Sequence, residues 1–225
     1  MVRSFVDCLL CPISAEEGLK MMSVASGMGI KSLVLECDDK LFGDLKSSSE
    51  AKRLTIYRRR TIEAEQRREL YDQLSSTRWY YEFISVRTDD REVAMAALRD
   101  NRVDSLVISA PGGLIIDKHL VAVTTNAVEV VFRDLLSGGY EVFERLMRSF
   151  KILRQSNVRV IISSGSSVWI EMRNPRQLVG ALLTLGLPPE RCFAAVSDVP
   201  LKILRENRGR ITGTVDVSGV WEVER

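Results

Sequence analysis

Histidine is almost missing from this sequence: its 225 residues include only one, His119. Metal-dependent phosphoesterases built on barrels hold two or three ions, and each ion needs three or four protein ligands. A single histidine cannot build such a site. We therefore interpret His119, which follows Lys118 in the chain, as a phosphate contact, a surface residue or a helix-capping residue rather than a metal ligand.

Long apolar runs are missing as well. No stretch comes near the ~20 consecutive apolar residues that a membrane-spanning helix needs. The opening residues, MVRSFVDCLLCPI, include a short apolar stretch but no A-x-A-like cleavage site, and a helical pattern follows at once. We interpret that stretch as a strand, and we expect a cytoplasmic protein without a membrane partner.

The four cysteines, Cys8, Cys11, Cys37 and Cys192, all lie inside apolar segments. Cys8 and Cys11 have a spacing found in zinc knuckles, but they lie along a predicted strand and lack a second pair. Buried small hydrophobic residues are the favoured interpretation. The sequence also lacks a Rossmann fingerprint, a P-loop and a G-x-S-x-G elbow.

Hydroxyl and carboxylate clusters remain as candidate sites. Residues 163–167, SSGSS, follow a predicted strand; their hydroxyls and backbone N–H groups would suit phosphate, and simple turn chemistry is the alternative. Asp38–Asp39 and Asp89–Asp90 are carboxylate pairs, but adjacent side chains on one segment seldom chelate Mg²⁺ unaided. Asp90 is better explained as the N-cap of the following helix.

Positive charge is unevenly distributed although the net charge is only +2. Residues 51–68 carry seven Lys or Arg against two acids, and residues 145–176 carry seven against one. The segments 1–50 and 69–144 are net acidic. Two basic segments on such a chain indicate a polyanion bound on one face. Solvated faces of ordinary helices explain the pattern equally well.

Short β-branched runs alternate with amphipathic stretches along the chain. We predict strands at 5–10, 31–36, 54–62, 79–87, 103–109, 127–132 and 158–163. We predict helices from a capping box at Ser14 and Glu17 to Gly27, and at 63–76, 90–101, 117–125, 140–156, 175–186 and 199–207. Residues 38–50 are interpreted as a mobile loop, and 208–225 as a closing strand or a tail.

This alternation predicts a single α/β domain over residues 1–225, built as a TIM-like barrel of seven or eight parallel strands. An open doubly wound sheet is the alternative. Barrel enzymes keep their active sites at the C-terminal ends of the strands, yet no catalytic constellation is evident there. The sequence favours a barrel that is used as a surface.

Several segments resemble one family in the right order along nearly the whole chain. These are ISVRTDD at 84–90, RVDSLVIS at 102–109, NAVEVVFR at 126–133, VRVIISSG at 158–165, MRNPRQL at 172–178, LGL at 185–187 and DVPLKIL at 198–204. The opening Val6-Asp-Cys-Leu, with Glu16, Glu17, Ala25 and Gly29, also fits. The chain resembles the archaeal ribonuclease P protein component 3 family, the barrel-type p30-like subunits. Cys8 stands where we expect leucine, and the match is weakest over 38–80.

The resemblance implies a barrel related to the PHP phosphoesterase superfamily but without its metal-site histidines. It implies a subunit of ribonuclease P that pairs with the ferredoxin-like component 2, alongside other protein subunits. The pair would support the catalytic RNA in removing the 5′ leader from precursor tRNA, which this chain would contact only indirectly. We expect no catalytic residue, metal or cofactor on this chain, because the RNA holds the Mg²⁺.

Cations at strand ends and in the adjoining loops are the candidate RNA contacts. They are Arg60, Arg87, Arg91, Lys118, His119, Arg133, Lys151 and Arg173. Salt bridges to neighbouring acids are the alternative for each, especially for Arg87 and Arg91, which flank Asp89–Asp90. Core packing is favoured over an interface for the aromatic clusters at 79–81 and 168–170, whereas Trp221 is an interface candidate.

Two other functions remain open from the sequence. A metal-dependent phosphoesterase of the same superfamily would bind metal and hydrolyse simple phosphoesters, and the single histidine argues against it. A non-catalytic scaffold barrel of another ribonucleoprotein would bind RNA without stimulating leader removal.

Overall fold

Within residues 4–50 and 52–213, which this computed structural model describes, seven apolar segments form parallel strands. They are β1 (Phe5–Leu10), β2 (Ile30–Leu35), β3 (Thr55–Glu63), β4 (Phe83–Arg87), β5 (Ser105–Val107), β6 (Ala127–Val131) and β7 (Arg159–Ser163). The helices are α1 (Ala15–Gly27), α2 (Asp39–Ser49), α3 (Arg67–Thr77), α4 (Arg91–Arg99), α5 (Lys118–Val123), α6 (Phe132–Ser137), α7 (Gly139–Leu153), α8 (Pro175–Thr184), α9 (Pro189–Ala194) and α10 (Asp198–Thr212).

The strands follow one another in chain order around a nearly closed barrel. At the C-terminal end of β1, a parallel bridge joins Leu10 to Ser166, three residues after the end of β7. Lower down, the Val6 N–H donates to the Val196 carbonyl at 2.9 Å and the Ile162 N–H to the Ala195 carbonyl at 3.4 Å. The chain after α9 therefore occupies the place of an eighth strand. This closure confirms the barrel prediction and excludes the open sheet.

Side chains fill the barrel in three layers, as in other barrels of this type. The lowest layer is apolar and includes Val34, Tyr57, Phe83 and Ile161, packed against Ile203 of α10. Leu9, Val107 and Val131 form an apolar layer near the C-terminal strand ends. A polar layer lies between the two and is described below.

Helix α10 closes the N-terminal end of the barrel. Its Asn207 side-chain amide donates to the Glu82 carbonyl at 2.9 Å and to Asp104 Oδ1 at 2.8 Å. The Arg208 guanidinium donates to Glu82 Oε1 at 2.9 Å and lies 3.8 Å from the centroid of the Tyr57 ring. These contacts fix α10 across the strand ends, so the barrel has no open channel on that side.

Two helix starts follow the sequence predictions. Ser14 Oγ accepts the Glu17 N–H at 3.2 Å, although the Glu17 carboxylate accepts the Trp169 N–H instead of completing the capping box. Asp90 caps α4 by accepting the Val93 N–H at 2.8 Å. Short polar side chains at N-cap positions are thus a dependable signal here.

The predicted mobile loop at 38–50 is wrong, because these residues form helix α2. Asp38 caps the helix by accepting the Leu41 N–H at 2.8 Å. Phe42 and Leu45 are buried in the cluster that α1 and β2 share. Their spacing of three residues gives α2 an apolar stripe, and that tertiary packing outweighs the weak helix propensity of Gly43 and the serines.

Other predicted bounds also need correction. Strand β4 begins at Phe83, so residues 79–81 lie in a turn rather than in a strand. Helix α10 continues to Thr212, which excludes a closing strand at 208–212; residues 214–225, including Trp221, lie outside the described part. Helices α6 and α9 had no counterpart among the predictions. No helix of the described residues is long and apolar enough to cross a membrane.

At the centre of the polar layer, Arg59 of β3 and Glu129 of β6 form an ion pair whose side chains are both fully buried. Breaking this pair should cost much of the protein's stability. Glu129→Gln leaves the buried Arg59 charge without its partner, so we expect about 3–5 kcal/mol less unfolding free energy in urea titrations. Glu144→Gln, which breaks an exposed pair with Arg148, is the control and should cost less than about 1 kcal/mol. Equal losses in the two variants would contradict the buried-pair argument.

Candidate nucleic-acid interface

The loops that follow the C-terminal ends of the strands form what we call the rim. Because each helix runs back antiparallel to its strand, the helix C-termini and the helix-to-strand turns lie at the opposite, lower end. Barrel enzymes place their catalytic groups at the rim and in the mouth beneath it. Candidate functional groups must therefore be judged by which end they occupy.

A buried ion pair occupies the middle of the barrel beneath the rim. Arg59 Nη1 and Nη2 lie 2.7 and 3.0 Å from the two carboxylate oxygens of Glu129, and both side chains are fully buried. Arg59 also donates to the Cys8 carbonyl at 2.7 Å. Three serine hydroxyls donate to Glu129 at 2.7–2.9 Å, from Ser85, Ser105 and Ser163.

The two charges stabilise each other's ionised form. Burial opposes ionisation of Glu129, but the Arg59 charge and the hydrogen bonds from Arg59, Ser163 and Ser105 hold its pKa below the ordinary value. The pKa of Arg59 is raised: burial lowers it, and the Glu129 charge and hydrogen bonds more than offset that effect. Both groups therefore have fixed partners and fixed charge.

Asp7 is the second buried acid near the mouth. Its Oδ1 accepts the Ser164 N–H at 3.0 Å and the Leu9 N–H at 3.4 Å, while its buried Oδ2 has no hydrogen-bond partner. Burial raises the pKa of Asp7 to about 6, against the lowering effect of these hydrogen bonds. Asp7 links β1 to the residue after β7, where the first and last described strands of the barrel meet.

The serine run after β7 serves barrel closure. Ser163, Ser164 and Ser166 are buried, and their hydroxyls are engaged with Glu129, with the Leu9 carbonyl and with one another. Gly165 adopts φ +71°, and a Cβ there would lie 2.4 Å from a methyl group of Val131, so the tight passage requires glycine. These three hydroxyls are therefore bonded within the barrel; they neither face a phosphate nor make the local turn hydrogen bonds of the alternative.

Arg87 and Arg91 lie on the rim as predicted, and each is paired with an acid. Arg87 Nη2 lies 3.0 Å from Asp134 Oδ2, and Arg91 Nη2 lies 2.7 Å from Asp117 Oδ2. Neither partner belongs to the flanking pair at 89–90. The Leu120 N–H and Arg91 lower the pKa of Asp117, so this partly exposed pair is ionised.

Four other predicted RNA contacts also lie at the rim. Lys118 and His119 are exposed in the first turn of α5. Arg133 is exposed directly after β6 and donates to the Ser167 hydroxyl. Arg173 is only partly exposed, donates to the Glu171 carbonyl at 2.8 Å and lies over the Phe132 ring. Their roles as RNA contacts stay predictions.

The remaining two predicted contacts lie elsewhere. Arg60 does not follow β3 as predicted but lies within it, exposed on the outer surface beyond the point where the neighbouring strand β2 ends at Leu35. Lys151 is exposed in the last turn of α7, at the lower end. The eight candidates therefore do not form one surface, because the basic segments in which these two lie run along the barrel rather than around one end.

Sequence reasoning missed Arg59 and Glu129. In 58–60 three arginines follow one another on a strand, so side-chain alternation turns the middle one to the face opposite its neighbours. Arg58 pairs with Asp39 outside, whereas Arg59 points inward. A glutamate flanked by valines in β6 was the matching signal, because a buried acid needs a cation.

The expectation that the aromatic clusters belong to the core is wrong. Trp79 and Tyr80 are 61% and 67% exposed in the turn before β4. Trp169 and Ile170 are 42% and 69% exposed in a short 3₁₀ helix on the rim, Trp169–Glu171. Both clusters fall in connections between elements, where core positions are few.

The cysteines are free and do not cluster into a ligand set. Cys8 and Cys192 are buried, and burial raises the pKa of Cys11 and Cys37 to about 11. Over residues 4–50 and 52–213, no group of three or more His, Cys, Asp or Glu side chains lies together in a way that could hold a metal ion.

The sequence matches the family described as RNase P subunit p30 over residues 5–212. The chain belongs to this family. Ribonuclease P protein component 3 of Methanococcoides burtonii is 23% identical over 218 residues, covering 92% of this chain and 89% of the relative. A chain in a cryo-EM structure of archaeal ribonuclease P with mature tRNA is 22% identical, covers 98% of both chains and has a TM-score of 0.79, which shows a shared fold.

This p30-family protein is therefore a subunit of ribonuclease P, the endoribonuclease that removes the 5′ leader from precursor tRNA. The family match confirms the resemblance drawn from the sequence segments. It also decides between the open functions: neither an unrelated ribonucleoprotein scaffold nor an independent phosphoesterase accounts for the match.

Asp7 predicts a specific pH dependence of stability in this p30-family protein. The folded chain keeps a proton on Asp7 up to about pH 6, whereas the unfolded chain loses it near pH 4. As the pH rises from 4 to 6, the unfolding free energy of the wild type should therefore fall by up to about 3 kcal/mol relative to that of Asp7→Asn. Above pH 6 the difference between the two proteins should stay constant. Urea titrations across this range measure it.

Asp89→Asn, which removes an exposed rim carboxylate, is the control for the loss of one negative charge. If the stability profiles of wild type and Asp7→Asn run parallel from pH 4 to pH 7, the raised pKa is refuted.

Proposed function

We propose that this chain is a non-catalytic subunit that binds ribonuclease P RNA in the cytoplasm and works as a pair with the ferredoxin-like component 2. It needs no cofactor of its own, because the RNA holds the Mg²⁺ used in cleavage, and it touches precursor tRNA only indirectly. The observation that carries the proposal is the filled barrel. Glu129, Arg59 and the serines around them are committed to one another beneath the rim.

A filled mouth changes what the barrel can do. Catalysis at this position needs acid, base or nucleophilic groups that can reach a substrate. Here the apolar layer of Leu9, Val107 and Val131 covers the polar layer from the rim side. The outer surface is what remains for function, and binding to a polyanion and to a protein are the activities that such a surface supports.

Polar and basic side chains on the rim supply the RNA contact in this proposal. Lys118 and His119 are exposed, and Arg133 lies beside the Ser167 hydroxyl, an arrangement suited to phosphate oxygens. Phosphate contacts neutralise repulsion within a folded RNA and lower its need for Mg²⁺. The chain would thereby stabilise the active shape of the RNA.

The first test is leader cleavage by the matching ribonuclease P RNA at limiting Mg²⁺. We expect strong stimulation when this chain and component 2 are both present, and little when either is omitted. Lys118→Ala should weaken RNA binding and reduce the slope of log affinity against log salt by about 0.9. Arg148→Ala, which removes the cation of an exposed pair on α7, is the control. Absence of stimulation with folded proteins would refute the proposal.

The protein partner needs an apolar surface, and one sector of the rim provides it. The apolar rim sector consists of exposed Ile13, Leu136, Tyr140, Trp169 and Ile170. These residues come from the loops and helix starts after β1, β6 and β7, which are neighbours around the barrel. The Trp169 N–H donates to Glu17 of α1 at 3.1 Å, and Arg173 lies over Phe132 of α6, so these loops lie side by side.

Exposed apolar residues gathered in one place mark protein interfaces, and tryptophan and tyrosine are enriched there. We infer that component 2 docks on the apolar rim sector. The acidic residue Glu17 and the cation Arg173 lie beside it and would form part of the polar edge that such interfaces have.

Ile170→Asp tests this docking surface. Ile170 is 69% exposed, so the variant should fold, yet a carboxylate at the interface should weaken binding of component 2 at least about 10-fold in calorimetric titrations. Leu183→Asp is the matched control, because Leu183 is an exposed leucine on α8 outside the sector. Wild-type affinity of the Ile170→Asp variant would exclude the sector as the docking surface.

A further inference from the structure

The lower end of the barrel presents an exposed tryptophan at the edge of a groove. The turn between α3 and β4 places Trp79 and Tyr80 at the surface, most of each side chain being exposed. Among the residues that the structure describes, the Trp79 side chain makes no hydrogen bond and no cation–π interaction. An indole in this position offers a free face for stacking.

The groove beside Trp79 has a volume of about 420 Å³, within the range of small-molecule sites. It lies between the end of α3, the turn from α4 to β5 and the end of α10. Leu74 and Ile211 line it with apolar surface, and Ser75 and Asn101 add hydrogen-bonding groups. A second hollow continues past Asn101 and Arg210 to Arg159.

Guanidinium groups give the groove its charge. Arg78, Arg102 and Arg210 line it. Arg78 is buried against Asp104, and Arg102 is paired with Asp100. Arg210 is exposed, and its side chain has no acid partner within the described residues.

The surroundings of the groove are basic too. Further exposed or partly exposed cations without an acid partner in the described part of the chain lie at this end: Lys52, Arg53, Lys151 and Arg154. By contrast, the acid Glu82 is paired with Arg208, and Asp100 and Asp104 are paired as described above. Glu50 and Glu190 are exposed acids at this end without an ion pair in the described residues, but the five unpaired cations outnumber them. The net accessible charge at the lower end is therefore positive, as a polyanion requires.

We propose that this groove binds an unpaired nucleotide of RNA, with the base stacked on Trp79 and the phosphate held by Arg210. The inference rests on the proposed RNA-binding function and adds a second contact surface, on the end opposite the rim. Single-stranded loops and bulges are recognised in this way, by aromatic stacking combined with arginine contacts to the backbone. Lys151, predicted from the sequence as an RNA contact, lies at this same end.

A protein partner is the competing occupant, and the lining argues against it. The centres of protein interfaces are depleted in charged residues, whereas this groove has the unpaired guanidinium of Arg210, and two further guanidinium groups held in ion pairs, around a small apolar floor. An RNA strand uses both features at once, because every nucleotide carries an aromatic base and a negative phosphate.

Fluorescence anisotropy with the full chain and a labelled single-stranded oligoribonucleotide of mixed sequence tests the proposal. Trp79→Ala should weaken binding about 5- to 100-fold, and Trp79→Phe should retain most of it, because one ring replaces another. Arg210→Ala should lower the slope of log affinity against log salt by about 0.7. Leu19→Ala, which removes an exposed apolar side chain from α1, is the control and should bind as wild type does.

Unchanged oligoribonucleotide binding by a folded Trp79→Ala variant would overturn the inference. So would loss of component 2 binding by that variant with RNA binding intact, since the groove would then be a protein contact. Both results leave the stimulation of leader cleavage by the wild-type chain as a separate readout. The wild-type chain could fail to stimulate leader cleavage and still bind RNA in a way that depends on Trp79. That result would overturn the proposed function, but the groove would remain an RNA-binding site.

Discussion

The buried pair of Arg59 and Glu129 is the constraint on which the barrel depends. Two charges without water are costly unless every lone pair and N–H group finds a partner in good geometry. Here the partners come from β1, β4, β5 and β7, through the Cys8 carbonyl and three serines. With Arg59 on β3 and Glu129 on β6, one network joins six of the seven described strands and specifies how they stand relative to one another.

That network also explains why this barrel offers its outer surface for binding and has, within the described part of the chain, no accessible site in its interior. A charged layer enclosed between two apolar layers is stable only while water and ligands stay out. Opening the mouth to a substrate would expose Glu129 and leave Arg59 with a weakened partner. The structure thus excludes ligands from the mouth of the barrel, where barrel enzymes bind their substrates. Binding partners must instead contact the loops, and the loops at the two ends differ in chemistry.

Much of the fold follows from local sequence signals. β-branched runs identified all seven described strands, and the N-caps Ser14 and Asp90 located their helices. Helix α2 was missed because its glycine and serines mask an apolar stripe whose value appears only when Phe42 meets the core. The exposed aromatic clusters were assigned to the core because large apolar residues are usually buried. That general tendency does not distinguish a position in a strand from one in the turn beside it.

The candidate site was less predictable for a related reason. A cation in a sequence shows its charge but not its partner, and the outcome for an arginine depends on acids far away along the chain. Arg87 meets Asp134 and Arg91 meets Asp117, whereas the nearer pair at 89–90 contacts neither guanidinium. Only the strand alternation around Arg59 carried a local sign of burial. Residues 58–60 were placed in a predicted strand, but the alternation was not applied to them and all three arginines were counted in a basic segment.

A rigid barrel suits a subunit that contacts two partners. If the apolar rim sector takes a protein and the lower end takes RNA, the separation and angle of the two surfaces are set by the strands between them. The shared network around Glu129 limits the relative movement of those strands, so little conformational entropy is lost when both ends are occupied. A barrel with an empty or purely apolar centre would fix strand register less strictly, because apolar contacts are not directional. In this fold the buried charges thus contribute to binding indirectly, because they hold the two distant binding surfaces at a constant distance and angle.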